Sequence, residues 1–380
     1  VKYATANAAA LDAATRLTPA DAEGHYARAA LANYVGQPTA ALSEIELAVS
    51  LRPHDYYLWL ELGLTRDQLE DTAGALSAFN ESVRLAPYYA QPRWQRGNLL
   101  FRAGRYDEAF ADLRNAAVSN PELFPNLVDL AWGTSQRNPK LTAQIVQPQS
   151  NSAHLALARF FAAHGKPDEA IAHFKLAHNP SDQMRHELVR QLVGTAAFKQ
   201  AFELWVTGNP GNATNRLTIY DGGFEGSLVL DEAGFGWRIA PLEQGFKLSQ
   251  DSNQPHSGSR SLRVDFSGNS NSNTQIVSQL LMVEPAVHYK LTFAARAQNV
   301  VTGGPPFVTV TEPNGERRQL VRSGPLSPGT GGWQTSTLEF STRPASEAIV
   351  IALQREACTS SPCPIFGSLN LDSFALERVK

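Results

Sequence analysis

The chain has 380 residues, enough for two or three domains each with its own core. Its formal net charge is −3, with 19 basic and 21 acidic residues up to residue 215 and 14 and 15 beyond it, so neither part is basic enough to hold nucleic acid electrostatically. The composition, 43% hydrophobic and 18% charged, excludes a disordered chain, no apolar run is long enough to span a bilayer, and the N-terminus lacks the charged-then-apolar pattern of an export signal.

The first predicted element is an alanine-rich helix over 4–17, with Leu11, Ala14 and Pro19 in phase with the residues that follow. Next comes a strict period. Pro19, Pro53, Pro87 and Pro121 stand 34 residues apart, and each is expected in the turn after a helix, where its ring stops continuation. Between them, Trp59, Leu62, Gly63, Ala75, Phe79 and Pro87 align with His25, Arg28, Ala29, Ala41, Ile45 and Pro53, and a third copy supplies Gly97, Ala109, Leu113, Ala116 and Pro121. Small residues recur where two helices of a hairpin must cross closely.

These residues resemble the tetratricopeptide repeat over 22–121, the middle copy most completely. Beyond, Leu127, Leu130 and Trp132 keep one helix, while Pro139 is expected to interrupt the next. The spacing returns with Ala170, Phe174 and Ala177 and again with Ala201 and Trp205, giving about five hairpins with the fourth irregular. The resemblance implies that the first helices line a concave surface. Tyr26, Asn33, Tyr34, Tyr57, Leu60, Leu64, Trp94, Asn98, Phe101 and Arg102 hold its inward positions, as a groove for a protein partner or a second copy. The other reading of these side chains is that they fill gaps between repeats. Trp94 and Leu64 replace two residues of the carboxylate clamp found in some members of the family.

The helix over 4–17 reads as the second half of a hairpin. An open stacking face leaves apolar area in water at roughly 25 cal/mol per Å². Either the chain was cut from a longer precursor or this face docks on a neighbouring molecule; the two are compatible.

Gly208, Asn209, Pro210, Gly211 and Asn212 open a linker over 208–218, which separates a helical domain over 1–207 from a second domain over 219–380. There, helical periodicity gives way to short alternating runs: 261–266, 275–282, 289–297, 307–311, 335–340, 348–354 and 368–376. Clusters of Gly, Pro, Asn and Ser separate them, as in an antiparallel sandwich. The expected fold is therefore α + β multidomain, an N-terminal α-solenoid followed by a C-terminal antiparallel β-sandwich.

Cys358 and Cys363 are the two cysteines of the chain. Their closeness in a polar loop predicts a disulfide that pins a hairpin, against the alternative of two free thiols, and too few ligands surround them for zinc. A disulfide places the protein in an extracellular, cell-surface or periplasmic setting.

Asp221 to Glu225, Gly236-Trp237, Ser257 to Val264, Tyr289 to Phe293 and Leu371 to Phe374 occur in the order of motifs that resemble a carbohydrate-binding module of the family 4/9 type, a galactose-binding-like jelly roll, over 219–378. The resemblance implies a structural calcium at Glu225 and Asp372; bonding of these carboxylates to backbone amides or to Arg263 is the alternative, and no cofactor is required. It also implies glycan contacts, for which Trp333, Trp237 and Tyr289 offer aromatic faces and Arg238, Gln279, Arg296 and Gln354 polar groups, although Trp237 and Tyr289 also read as core.

No nucleophile triad, nucleotide-binding glycine pattern or metal-binding histidine cluster occurs at recognisable spacing, so an enzyme is not expected. Two functions compete. One is a structural scaffold whose solenoid binds a protein partner or another copy of itself, head to tail in a filament or other homo-oligomer. The other, implied by the two resemblances together, is a polysaccharide-binding protein of a bacterial exopolysaccharide export or surface-assembly system.

Overall fold

The computed structural model describes residues 2–209, 217–229, 232–240, 245–269, 274–313, 318–326, 331–359 and 362–379, with the side chains of 2–8 and 269 set aside. Of the expected linker over 208–218, residues 210–216, including Pro210, Gly211 and Asn212, lie outside the described residues.

The helices are α1 (Lys2–Leu17), α2 (Ala22–Tyr34), α3 (Pro38–Leu51), α4 (Tyr56–Gln68), α5 (Thr72–Leu85), α6 (Ala90–Arg102), α7 (Tyr106–Ser119), α8 (Phe124–Thr134), α9 (Pro139–Val146), α10 (Asn151–Ala163), α11 (Pro167–Leu176), α12 (Asp182–Gly194) and α13 (Phe198–Gly208). From α2 onward α2 pairs with α3, α4 with α5, α6 with α7, α8 with α9 and α12 with α13, and Phe161 of α10 meets His173 of α11 at 5.4 Å, which makes six pairs among the described residues where about five were expected. Pro139 departs from expectation. It does not interrupt a helix but opens α9, in the first turn where its missing N–H costs nothing, and the Asn138 side chain caps that turn by accepting from the Leu141 amide at 3.1 Å.

The period has a packing cause. A Cβ at Gly63 would lie 2.4 Å from the Phe79 ring, and one at Gly97 would lie 2.9 Å from Leu113, at the same place in successive hairpins. Ala29 and Ile45 are the corresponding buried pair in the first hairpin. The turn inside each hairpin needs a left-handed residue, met by Gly36, Glu70 and Gly104 at φ 76, 60 and 76°.

Among the described residues ten strands follow: β1 (Trp237–Ile239), β2 (Phe246–Asp251), β3 (Ser261–Asn269), β4 (Val277–Met282), β5 (His288–Thr302), β6 (Pro306–Thr311), β7 (Gln319–Arg322), β8 (Gln334–Ser341), β9 (Ala348–Arg355) and β10 (Pro364–Arg378). The seven expected runs are β3 to β6 and β8 to β10. They make two five-stranded antiparallel sheets, ordered β1-β4-β9-β6-β7 and β2-β3-β10-β5-β8. Phe224, Leu262, Val264, Leu291, Phe293, Ile351, Leu369 and Leu371 fill the space between them.

The chain divides into two compact units, 1–157 and 158–380. Secondary structure changes from helix to strand near the expected linker, but the division in packing falls earlier, because α13 lies against β4. Every residue of β4 is consequently buried, on both faces of its sheet. Trp205 of α13 also anchors the segment that precedes β1: its Nε1 donates to Glu232 Oε1 at 2.8 Å, and its ring meets Tyr220 and Phe235 edge-on at 5.3 and 5.9 Å.

Candidate functional sites

In the first unit, α2, α4 and α6 carry the residues expected to line a groove. The Tyr26 and Tyr57 hydroxyls are 3.1 Å apart and their rings meet edge-on at 5.6 Å. The bond to Tyr26, then burial, raises the Tyr57 phenol above its ordinary pKa. Burial likewise raises the Glu61 carboxyl, offset in part by a hydrogen bond from Tyr57. Asn33 donates to Thr65 Oγ1 at 3.0 Å, and its own buried carbonyl oxygen has no partner among the described residues. Phe101 packs against Tyr106 and Phe110 at 5.2 and 5.9 Å, while Arg102 pairs with Asp67 at 2.5 Å. Leu64, Trp94 and Asn98 are half-buried, and Tyr34 is 84% exposed at the end of α2.

Leu60 is a correction. It is 0% exposed and packs with Ala75, Phe79 and Leu99, so it fills the gap between hairpins and offers no surface to a partner. Glu61 and Asp67 join the stripe without having been singled out in the sequence, while Thr65, which is fully buried, supports it from beneath by accepting from Asn33. Glu61 stands four residues after Tyr57, and Asp67 stands 34 after Asn33 and 34 before Phe101; that register was the available signal.

In the second unit, two of the three aromatic glycan candidates belong to the core. Trp237 is 6% exposed, donates to the Asp221 carbonyl at 2.9 Å and packs on Phe224 and Phe374. Tyr289 is 1% exposed, its hydroxyl accepts from the Glu284 amide at 2.9 Å, and its ring stacks on Phe340. Both lie on inward strand positions that a two-sheet core must fill. Gln279 is fully buried, donating to the Tyr220 carbonyl.

The third aromatic, Trp333, meets Arg296, which is itself 6% exposed. The Arg296 guanidinium lies 4.9 Å over the Trp333 ring, and both side chains tie down the chain after β2, Arg296 through the Asn253 carbonyl and Trp333 through the Gln254 carbonyl, each at 2.9 Å. Asn370 is opposite Arg296 on one neighbouring strand and opposite Arg263 on the other, which extends a polar row across the sheet. Asp265, first, and Asp251 raise the Arg263 pKa.

Glu225 and Asp372 hold the 256–260 segment by its amides. Asp372 Oδ2 accepts from the amides of His256 and Ser257 at 2.8 and 3.1 Å, and Glu225 Oε1 from those of Ser259 and Arg260 at 2.8 and 3.1 Å. Hydrogen bonds from Ser259 hold the Glu225 carboxyl below its usual pKa. N–H groups aimed at a carboxylate oxygen put positive hydrogens where a cation would sit, so this donor set does not fit a calcium cage. Among the described residues no three His, Cys, Asp or Glu side chains gather as metal ligands.

Cys358 and Cys363 form a disulfide. It does not pin a hairpin: β9 and β10 belong to different sheets, so the bridged loop is a corner between them. No helix among the described residues is long and apolar enough to cross a membrane.

A tetratricopeptide-repeat family model matches residues 26–90 and 141–183. Protein FlbA of Caulobacter vibrioides is 30% identical over 103 residues, which are 27% of this chain and 17% of FlbA. The chain thus matches under a fifth of that relative's length. Among solved structures, one of MamA is 16% identical, covering 45% of this chain and 84% of MamA with a TM-score of 0.31. One described as CBM4 structure and function is 13% identical, covering 42% of this chain and 99% of the other with a TM-score of 0.33.

Proposed function

We propose that this protein is a non-catalytic structural scaffold whose helical repeats bind a polypeptide, foremost another copy of the same chain. The observation that carries this reading is the stripe on α2, α4 and α6. There Tyr26, Tyr57, Trp94 and Phe101 keep part of their rings in water beside Asn33 and Asn98, and half-buried aromatics with unused hydrogen-bonding capacity are what polypeptide interfaces use as anchors. Ala9, Ala10, Ala13 and Ala14 on α1 are exposed in the same unit and supply a second, different surface. Two unlike surfaces in contact between copies give a head-to-tail filament. The disulfide supports an oxidising setting, extracellular, cell-surface or periplasmic.

Sedimentation across a concentration series tests the reading. The average mass rises with concentration for the native chain and not for the Tyr26→Glu/Trp94→Glu variant; a monomer at every concentration rejects it.

A second reading, polysaccharide binding through the sandwich, is favoured by one observation, the Trp333 and Arg296 pair at the end of a polar row. Affinity electrophoresis on a polysaccharide panel tests it: retardation by a glycan, lost in Trp333→Ala, supports it, and migration unchanged by every glycan leaves the sandwich as a spacer.

A further inference from the structure

The second unit holds a cavity of about 570 Å³ between the α12–α13 turn and the outer face of the first sheet, within the size range of small-molecule sites. Phe198, Leu280 and Val350 give it apolar walls, while Arg238, Ser278 and Thr195 supply polar groups. Arg238 on β1 is opposite Ser278 on β4, so their side chains share this face of the sheet. Ser278 is 6% exposed as a residue and lines the cavity, where its hydroxyl can serve as donor or acceptor to an occupant. Arg238 is the charged residue of the lining, and it has no carboxylate partner among the described residues. Thr195 has already committed its hydroxyl to the carbonyls of Gln191 and Leu192.

The geometry points to a binding site for a small amphiphile with one anionic end, the carboxylate on Arg238 and Ser278 and the apolar body along Phe198, Leu280 and Val350. The site is separate from the repeat stripe and does not depend on the scaffold reading. Because its walls come from both α13 and the sheet, an occupant would tighten the contact between α13 and β4.

Decanoate, decanol and decylamine added to the full chain test this by calorimetric titration and by melting temperature. Decanoate is expected to bind at one site and to raise the melting temperature, with decylamine doing neither. Arg238→Ala, an exposed position that folding does not need, weakens decanoate about tenfold, the worth of one charge-assisted bond, and Leu280→Trp fills the cavity and abolishes binding. No decanoate binding, equal binding of decylamine, or binding untouched by both substitutions would overturn the assignment.

Discussion

The indole nitrogen of Trp59 donates to the carbonyl oxygen of Pro53 at 2.9 Å. One repeat earlier His25 reaches the Pro19 carbonyl at 3.0 Å, and one repeat later Arg93 reaches that of Pro87 at 2.9 Å. Three different side chains thus make the same bond from the same place. Each ties the next hairpin's first helix to the turn that closes the previous one. Leu127, the next residue in this register, carries no donor, and regularity fails there: Pro121 falls in a short 3-10 turn, Pro121–Leu123. Trp59→Phe, which keeps the ring and removes the N–H, is expected to cost about 1 kcal/mol in urea unfolding. Trp59→Arg restores most of it if the shared bond is the reason.

Gly63 and Phe79 are a matched pair. Gly63→Ala alone drives a Cβ into the Phe79 ring and is expected to cost about 1–3 kcal/mol. Adding Phe79→Ile recreates the Ala29 and Ile45 pair of the first hairpin and recovers part of the loss. A double-mutant cycle checks this, and simple additivity of the two single changes contradicts it.

The repeat was legible because it obeys a local rule, one small residue facing one large residue every 34 positions. Pro139 was misread because a proline pattern does not distinguish a helix interior from a first turn; the Asn138 cap, one residue earlier, was the discriminating signal. β1, β2 and β7 were not legible: β1 is three residues long, β2 is exposed or half-exposed after its first residue and β7 throughout, and neither of the latter two shows clear alternation. Trp237 and Tyr289 show the limit for sites. An aromatic beginning a strand faces either the core or the solvent according to register, and register is fixed by partners far away in sequence. The pairing of Arg296 with Trp333 depends on chain segments 37 residues apart and had no local signature.

Asp372 is fully buried and receives two amide N–H groups. Asp372→Ala leaves both without an acceptor, at about 1–3 kcal/mol each. Because amides rather than a cation hold these oxygens, the melting temperature is expected to be the same with calcium and with a chelator. A chelator-induced drop that disappears in Asp372→Ala contradicts the amide clamp.

Glu312 is buried at the end of β6 and bonded by Arg343 and Ser346. Burial alone pushes its carboxyl up, but the bonds from Arg343 and Ser346 outweigh that, and the net pKa lies below the ordinary value. A depressed folded-state pKa gives stability that is present above the unfolded value, about 4.3, and is lost as pH falls through the folded one. Melting temperatures from neutral pH downward are expected to show this acid-side loss in the native chain, and a smaller one in Glu312→Gln.

Sedimentation velocity over a wide concentration range, native chain against Tyr26→Glu/Trp94→Glu, tests the central claim most directly. The scaffold account predicts a weight-average sedimentation coefficient that climbs with concentration for the native chain and stays flat for the variant. A native chain that sediments as one monomeric species throughout, or a variant that associates equally well, contradicts it.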